Sequence, residues 1–139
     1  TLVEMLTVLL ILAIILALVV GISRHLMEEA ARKQTEATQS VLMNAIMRYK
    51  ELNRYHTLPG GLGDLWNGPQ EVKDIVSRLP KEQFEGGTAK DGWGQDMIYK
   101  QTGGRGGSPV IISKGPDRAI NESTPTDPMN LDNIRSDGH

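Results

Sequence analysis

The stretch TLVEMLTVLLILAIILALVVGIS, residues Thr1–Ser23, decides how the rest of the chain can fold. From Met5 to Ile22 its residues are apolar except for Thr7. At a rise of about 1.5 Å per residue, a helix over this run is about 27 Å long, which is close to the hydrocarbon thickness of a bilayer. We therefore predict that residues 1–23 form a membrane-length hydrophobic helix.

Glu4 is the only charged residue in this stretch, and it directly precedes the apolar run. Moving a carboxylate into hydrocarbon costs several kcal/mol unless the group is neutralised or paired. An acid in the first turn of a helix gains only about 0.3–1 kcal/mol from the helix dipole. The cost favours a specific partner for Glu4, and the dipole effect stays open as the simpler explanation.

Beyond this stretch, two further regions are predicted: a helical stem over residues 24–58 and a small head over residues 59–139. Apolar residues at spacings of three, four and seven predict that the stem is amphipathic; they are Leu26, Ala30, Ala37, Val41, Ala45, Tyr49 and Leu52. The segment LPGG at Leu58–Gly61 is expected to end the helix. Gly21 is its weak point, because Gly costs about 1 kcal/mol relative to Ala inside a helix.

The head is rich in Gly and Pro and is predicted to be small and loop-rich. A helix is expected over residues 69–79, and strands over 96–100 and 109–113 are joined by the Gly-rich segment 102–108 as a hairpin. Residues after Gly115 have many turn formers and are predicted to be loop. The predicted fold class is α+β: a long N-terminal helix packed on a small head with a short antiparallel sheet and an irregular C-terminal loop.

Composition excludes several classes of function. The chain has no cysteine, so a disulfide framework and a thiolate metal site are both excluded. A net charge of -2 gives no reason to expect a nucleic-acid partner. No catalytic motif is present, and the histidines at 25, 56 and 139 lie far apart, so we predict that the protein is not an enzyme.

Two segments of the head resemble binding sites only weakly. GGRGG at Gly103–Gly107 is better explained as a flexible hairpin tip than as an anion-binding nest, because no helix start follows it. Acidic residues are scattered through the C-terminal loop; they are Asp117, Glu122, Asp127 and Asp132. Calcium prefers such oxygen ligands, but their spacing does not match an EF-hand, so composition alone favours a solvated loop.

The sequence resembles the type IV pilin-like superfamily, whose mature chains open with a Thr-Leu-hydrophobic-Glu motif before a long apolar helix. Segments of the head are most similar to the major pseudopilin of type II secretion systems; they are YHTLPGGLGDL (Tyr55–Leu65), DGWGQDMIYK (Asp91–Lys100), VIISKGPDRAI (Val110–Ile120) and DNI (Asp132–Ile134). The chain departs from the usual family pattern at Gly92, where relatives have Pro, and at Met97 and Ile98, which break the family's aromatic spacing. Gly21 also stands where many pilins have a helix-bending Pro.

The resemblance implies a structural subunit, held in the bacterial inner membrane by a single pass with its head in the periplasm. It would assemble with copies of itself into a helical pseudopilus that supports protein secretion, in the periplasm or outside the cell. Prepilin peptidase, minor pseudopilins and the secretion assembly machinery are the implied partners. Thr1 would be the second mature residue after a methylated one, and Glu4 would pair with a neighbour's N-terminal amine. Thr1, Glu4 and Gly21 are the predicted assembly residues.

Members of the resembled family bind a structural calcium ion in the loop after the S-x-G-x-D element. Carried over by position, the expected ligands are Asp117, Asp132 and the backbone oxygen of Lys114, with Asp127 as a further candidate. The loop over residues 118–131 is longer here than in relatives. Ca²⁺ is thus the one cofactor that the sequence suggests.

Two alternatives stay open at this point. One is a type IV pilin for adhesion, motility or DNA uptake; the absence of cysteines and the S-x-G-x-D element favour the pseudopilin. The other belongs to a different class, a monomeric membrane-anchored binding module. An ordinary anchor has no need of Glu4 beside its apolar core, which favours the filament subunit.

Overall fold

The computed structural model describes residues 1–120, 130 and 132–138. In these residues we number three α-helices, α1 (Leu2–Leu52), α2 (Gly63–Trp66) and α3 (Gln70–Val76). Five short strands are β1 (Phe84–Glu85), β2 (Thr88–Ala89), β3 (Ile98–Lys100), β4 (Val110–Ser113) and β5 (Ile134–Arg135). The chain divides into two compact units, Thr1–Ala30 and Ala31–His139. The α+β class predicted from the sequence is confirmed.

Helix α1 ends at Leu52, six residues before the predicted LPGG stop. The reason is Asn53, whose side chain bonds to the backbone and side chains that follow it. Its Oδ1 accepts from the backbone N–H of Tyr55 at 3.1 Å, and its amide nitrogen donates to the Thr57 hydroxyl at 2.9 Å. Such local bonds compete with the helical ladder, and the next turn takes His56 to a φ of 50°.

The core of the unit Ala31–His139 lies between one face of α1 and the head. Leu42, Ala45 and Ile46 of α1 are fully buried there. They pack with apolar residues of the head, which are Leu62, Leu65, Val72, Val76, Phe84, Ala89, Met97 and Ile111. Trp66 meets Phe84 edge to face, with ring centroids 5.8 Å apart.

One turn earlier on α1, the buried face is polar. Ala37 of the predicted stripe is exposed, while Thr35, Thr38 and Gln39 are buried. The amide of Gln39 donates to the carbonyl of Ile111 at 3.1 Å and to that of Ile134 at 2.8 Å. Thr35 accepts from the Gly92 N–H at 2.8 Å, and Thr38 donates to the side-chain oxygen of Gln83 at 2.9 Å. Hydrogen bonds to the head therefore offset the cost of burying these polar side chains.

Strands β3, β4 and β5 form an antiparallel sheet in that order, and β1 and β2 form a separate hairpin. Ile98 faces Ile112 across β3 and β4, as the sequence predicted for a hairpin. Strand β5 was predicted as loop, and Ile134 in fact pairs with Ser113 of β4. A two-residue strand shows no period of its own, so its pairing depends on the edge that β4 offers.

Candidate functional site

The apolar half of α1 is the first candidate site. An 18-residue window of this helix has a mean hydropathy of 3.2, which by length and composition is enough to cross a membrane. None of that window is buried within the chain. Leu2 is 75% exposed and Ile15 49% exposed, and the other large apolar residues of the window are exposed to a similar degree. An apolar surface of this size needs lipid or other protein around it.

Glu4 lies exposed in the first turn of α1. The backbone N–H of Met5 donates to the carbonyl of Thr1 at 3.1 Å, so the helix already includes this end of the chain. The Thr7 hydroxyl donates to the Val3 carbonyl at 2.8 Å and is satisfied within the helix. Among the residues that the structure describes, the Glu4 carboxylate has no hydrogen bond or ion pair, in contrast to Thr7.

Gly21, the third predicted assembly residue, lies inside α1 with open space around it. A Cβ built at this position meets no atom within 4 Å. The glycine is therefore not required by packing within the chain. Its effect is on the helix itself, where it lowers the cost of local unwinding.

The second candidate site is the loop that follows β4, built by Ser113, Gly115 and Asp117. The Ser113 hydroxyl oxygen accepts from the backbone N–H of Gly115 at 3.2 Å and turns the chain at the strand end. Gly115 has a φ of 72°, and a Cβ there would lie 2.4 Å from the carbonyl oxygen of Asp132. Only glycine fits this close approach. The Asp117 carboxylate accepts from the backbone N–H of Ala119 at 2.9 Å and closes the turn.

The structure brings three of the four predicted ligand residues together in this loop. The Asp132 carboxylate accepts from the backbone N–H of Asp117 at 3.2 Å, so both acidic residues border one loop. The backbone oxygen of Lys114 faces the side-chain amide of Asn133, 2.9 Å away, and that of Ala119 faces the same end of the amide at 3.1 Å. Asp127 lies outside the described residues. Asn133 and Ala119 were not among the predicted ligands, although the DNI segment contained the signal for Asn133.

The chemistry of this donor set suits a hard cation. Carboxylate, amide and carbonyl oxygens are the ligands that Ca²⁺ prefers, usually six to eight of them. No group of three or more acidic or histidine side chains converges within the described part of the chain, so carbonyl, amide and water oxygens would have to supply most of the ligands. The residues present therefore fit Ca²⁺ better than a transition metal, which prefers nitrogen and sulfur ligands.

A turn that the sequence interpretation missed as a site connects this loop to helix α1. The buried Asp91 carboxylate accepts from the backbone N–H groups of Trp93 and Gln95 at 3.0 and 2.9 Å, and from the Ser113 hydroxyl at 2.6 Å. The neighbouring Gly92 N–H donates to the Thr35 hydroxyl on α1 at 2.8 Å. Asp91 thus holds the turn to the start of the candidate ion loop, while Gly92 holds it to the helix.

The Gly-rich hairpin tip is hydrogen-bonded to the Asp137 carboxylate of the same chain. The backbone N–H of Arg105 donates to this carboxylate at 3.2 Å. Arg135 donates to it from Nε and from a second nitrogen, at 2.9 and 3.0 Å, and to the Gly103 carbonyl at 2.9 Å. The hydrogen-bonded Asp137 raises the pKa of Arg135 above its ordinary value. The segment is therefore an anchored tip, and its amide is already used.

The connection after α1 is held by strand β3 and the residue beyond it. The Tyr99 hydroxyl donates to the Pro59 carbonyl at 3.0 Å, and the Gln101 amide donates to the same oxygen at 2.8 Å. Burial, helped by the nearby charge of Asp64, raises the pKa of Tyr99 to about 12. This contact explains how LPGG packs on the head although the helix has ended earlier.

Comparison with known families agrees with this geometry. The family model described as type II secretion system (T2SS), protein G matches residues 24–131, well over half of the chain. Comparisons with curated proteins and with solved structures gave no match. The resemblance stated from the sequence is confirmed: the chain belongs to the type II secretion system protein G family, the major pseudopilins, which are structural and not enzymatic subunits.

Proposed function

We propose that this pseudopilin is the repeating subunit of a helical filament in type II secretion. It is held in the inner membrane by the apolar half of α1 before assembly, with its head in the periplasm. In the filament, the same apolar residues pack against those of neighbouring copies. Family membership supports the role in secretion, and the helix supports the membrane anchoring.

The observation that carries this proposal is the lone carboxylate at the start of an unburied apolar helix. A lipid anchor needs only the apolar residues, whereas Glu4 next to them is a cost in hydrocarbon. When the apolar helices of two copies pack together, Glu4 can meet a cationic group of the neighbouring copy. We propose that this group is the neighbour's N-terminal amine. Removing one partner from a buried ion pair costs about 3–5 kcal/mol, so subunits in the wrong register are strongly disfavoured.

The experiment compares Glu4→Leu with Thr7→Val, a matched control that removes the other polar side chain of the segment. We expect both variants to reach the membrane, since neither makes the helix less apolar. Glu4→Leu should weaken association at least about a hundredfold, because it leaves the amine unpaired. Thr7→Val should assemble normally, because its hydroxyl bonds only within its own helix.

Filaments are counted by electron microscopy and membrane insertion by fractionation of the same cells. Normal filaments from Glu4→Leu would refute the pairing of Glu4. Failure of the native chain to form any oligomer, with secretion intact, would instead support a monomeric anchored module.

We further propose that the loop after β4 binds a calcium ion. The carboxylates of Asp117 and Asp132 and the backbone oxygens of Lys114 and Ala119 would hold it, and the ion would supply positive charge that ties the C-terminal segment to the end of β4. A ligand that binds the folded state raises the melting temperature with its concentration. The melting temperature of the full-length chain in detergent should therefore rise as calcium is added, and Asp132→Asn should abolish that rise. If calcium changes the melting temperatures of the two chains equally, the proposed ion site is wrong.

A further inference from the structure

The side-chain amide of Asn133 stands where three polar groups of the candidate ion loop meet. One end of the amide lies 2.9 Å from the Lys114 carbonyl oxygen and 3.1 Å from the Ala119 carbonyl oxygen. The other end lies 3.0 Å from the Oδ1 of Asn130. Asn133 is half-buried, so its contacts matter for the stability of the loop.

The two orientations of this amide have opposite consequences. With the NH₂ group towards the carbonyls, it donates to Lys114 and Ala119 and satisfies both acceptors. With the oxygen towards them, it lies 2.9 Å from the Lys114 oxygen and 3.1 Å from the Ala119 oxygen. Such spacings are unfavourable alone but typical of oxygens around one Ca²⁺ ion, since Ca–O distances are about 2.4 Å. In this second orientation the Asn133 NH₂ group donates to the Asn130 Oδ1; in the first, the Asn130 amide has to turn as well so that its own NH₂ group donates to the Asn133 oxygen.

We propose that Asn133 is a built-in substitute for the cation. Without an ion, its NH₂ group bridges the Lys114 and Ala119 carbonyls and keeps the loop closed. When Ca²⁺ binds, the amide turns and its oxygen becomes a ligand. An aspartate at this position has no hydrogen to donate, so that loop would depend on the ion. This inference rests on the proposed calcium site and adds that the contact of Asn133 with Lys114 and Ala119 persists without calcium.

The test compares the native chain with Asn133→Asp and with Ser136→Ala, a control on the same segment. Full-length protein in detergent is melted in a calcium chelator and again in millimolar Ca²⁺. In chelator, Asn133→Asp should melt about 4–8 °C below the native chain, because two carbonyls lose their donor and face a carboxylate. In calcium it should recover, and its calcium affinity should exceed that of the native chain by roughly tenfold, because a ligand charge has been added.

A direct readout is the side-chain NH₂ signal of Asn133 in NMR spectra. In chelator its hydrogens should exchange slowly with solvent, and saturating Ca²⁺ should shift the signal and remove that protection. If the native chain loses as much stability in chelator as Asn133→Asp, the substitution role of the amide is wrong while the ion site stands. If neither chain responds to calcium, both the ion site and this inference are wrong.

Discussion

Replacing Gly92 by alanine should break the contact between the turn Asp91–Gly94 and helix α1. A Cβ built on Gly92 lies 2.2 Å from the carbonyl oxygen of Ala31, 2.5 Å from its Cα and 2.6 Å from its carbonyl carbon. These are backbone atoms of a helix, so they cannot move aside as a flexible side chain does. The turn itself has to shift away from the helix.

The magnitude follows from the two contacts that the shift affects. Overpacking of this kind costs about 1–3 kcal/mol. Moving the turn also stretches the 2.8 Å bond from the Gly92 N–H to the Thr35 hydroxyl, which contributes about 1 kcal/mol. The total is about 2–4 kcal/mol, which for a domain of this size lowers the melting temperature by roughly 10 °C. The φ of Gly92 adds nothing, because it lies outside the left-handed region.

The assay is thermal unfolding of the full-length chain in detergent, followed by near-ultraviolet circular dichroism, which reports the packing of Trp93 and Trp66. Gly61→Ala is the matched control, because a Cβ there meets no atom within 4 Å. Thr35→Val removes the hydrogen bond without the steric clash and leaves the Gly92 N–H unpaired, so it should cost about 1–3 kcal/mol. A melting temperature of Gly92→Ala within 2 °C of the native value would refute the close approach. Gly92→Pro, which introduces the residue usual in relatives, should be at least as destabilising here, because it also removes the N–H.

Two further predictions concern other polar contacts of the head. Gln39→Leu keeps the volume but removes the amide that donates to the Ile111 and Ile134 carbonyls. The Ile111 carbonyl still accepts from the Ser136 N–H at 3.0 Å, so the free energy of unfolding should fall by about 1–3 kcal/mol in the same assay. The exposed Ser40→Ala is the neutral control, and equal stability of both variants would contradict the prediction. The pKa of Tyr99 is raised to about 12, first by burial and then by the charge of Asp64, so the folded state favours the neutral phenol. The contribution of Tyr99 to the free energy of unfolding is therefore fully present below pH 10 and is lost as the pH rises from 10 through 12. Denaturant melts of the native chain and Tyr99→Phe between pH 9 and 12 should converge as the pH rises, and a constant difference would refute the shift.

How far the sequence predicted this structure depends on the range of the interactions involved. The long apolar helix from Met5 to Ile22 and the hairpin around Gly103–Gly107 are each indicated by a local sequence pattern. Both predictions are confirmed. The end of α1 at Leu52 was missed, because the side chain of Asn53 outweighs the propensity of the residues after it. Strand β5 was missed because its pairing partner is distant in sequence.

The candidate site was predictable only in part, for a related reason. Resemblance pointed to Asp117, Asp132 and Lys114, and the fold places all three at one loop. The proposed role of Asn133 depends on backbone carbonyl oxygens. Every residue has one, so residue types do not show which carbonyls are involved. The sequence also does not show that position 92 has to be glycine. That requirement arises because the backbone of Ala31 lies where a Cβ would be.

The polar band on α1 explains why the head sits at one position along the helix. Apolar contacts such as those of Leu42 and Ile46 are not directional, so they tolerate small displacements of the head along the helix. The bonds of Thr35 and Gln39 are directional, and each ends on a backbone group of the head. A shifted head would break these three hydrogen bonds, at about 1 kcal/mol each, although the Ile111 carbonyl would keep the Ser136 N–H as a donor. Apolar burial therefore drives the packing, while the buried polar side chains of α1 select its register.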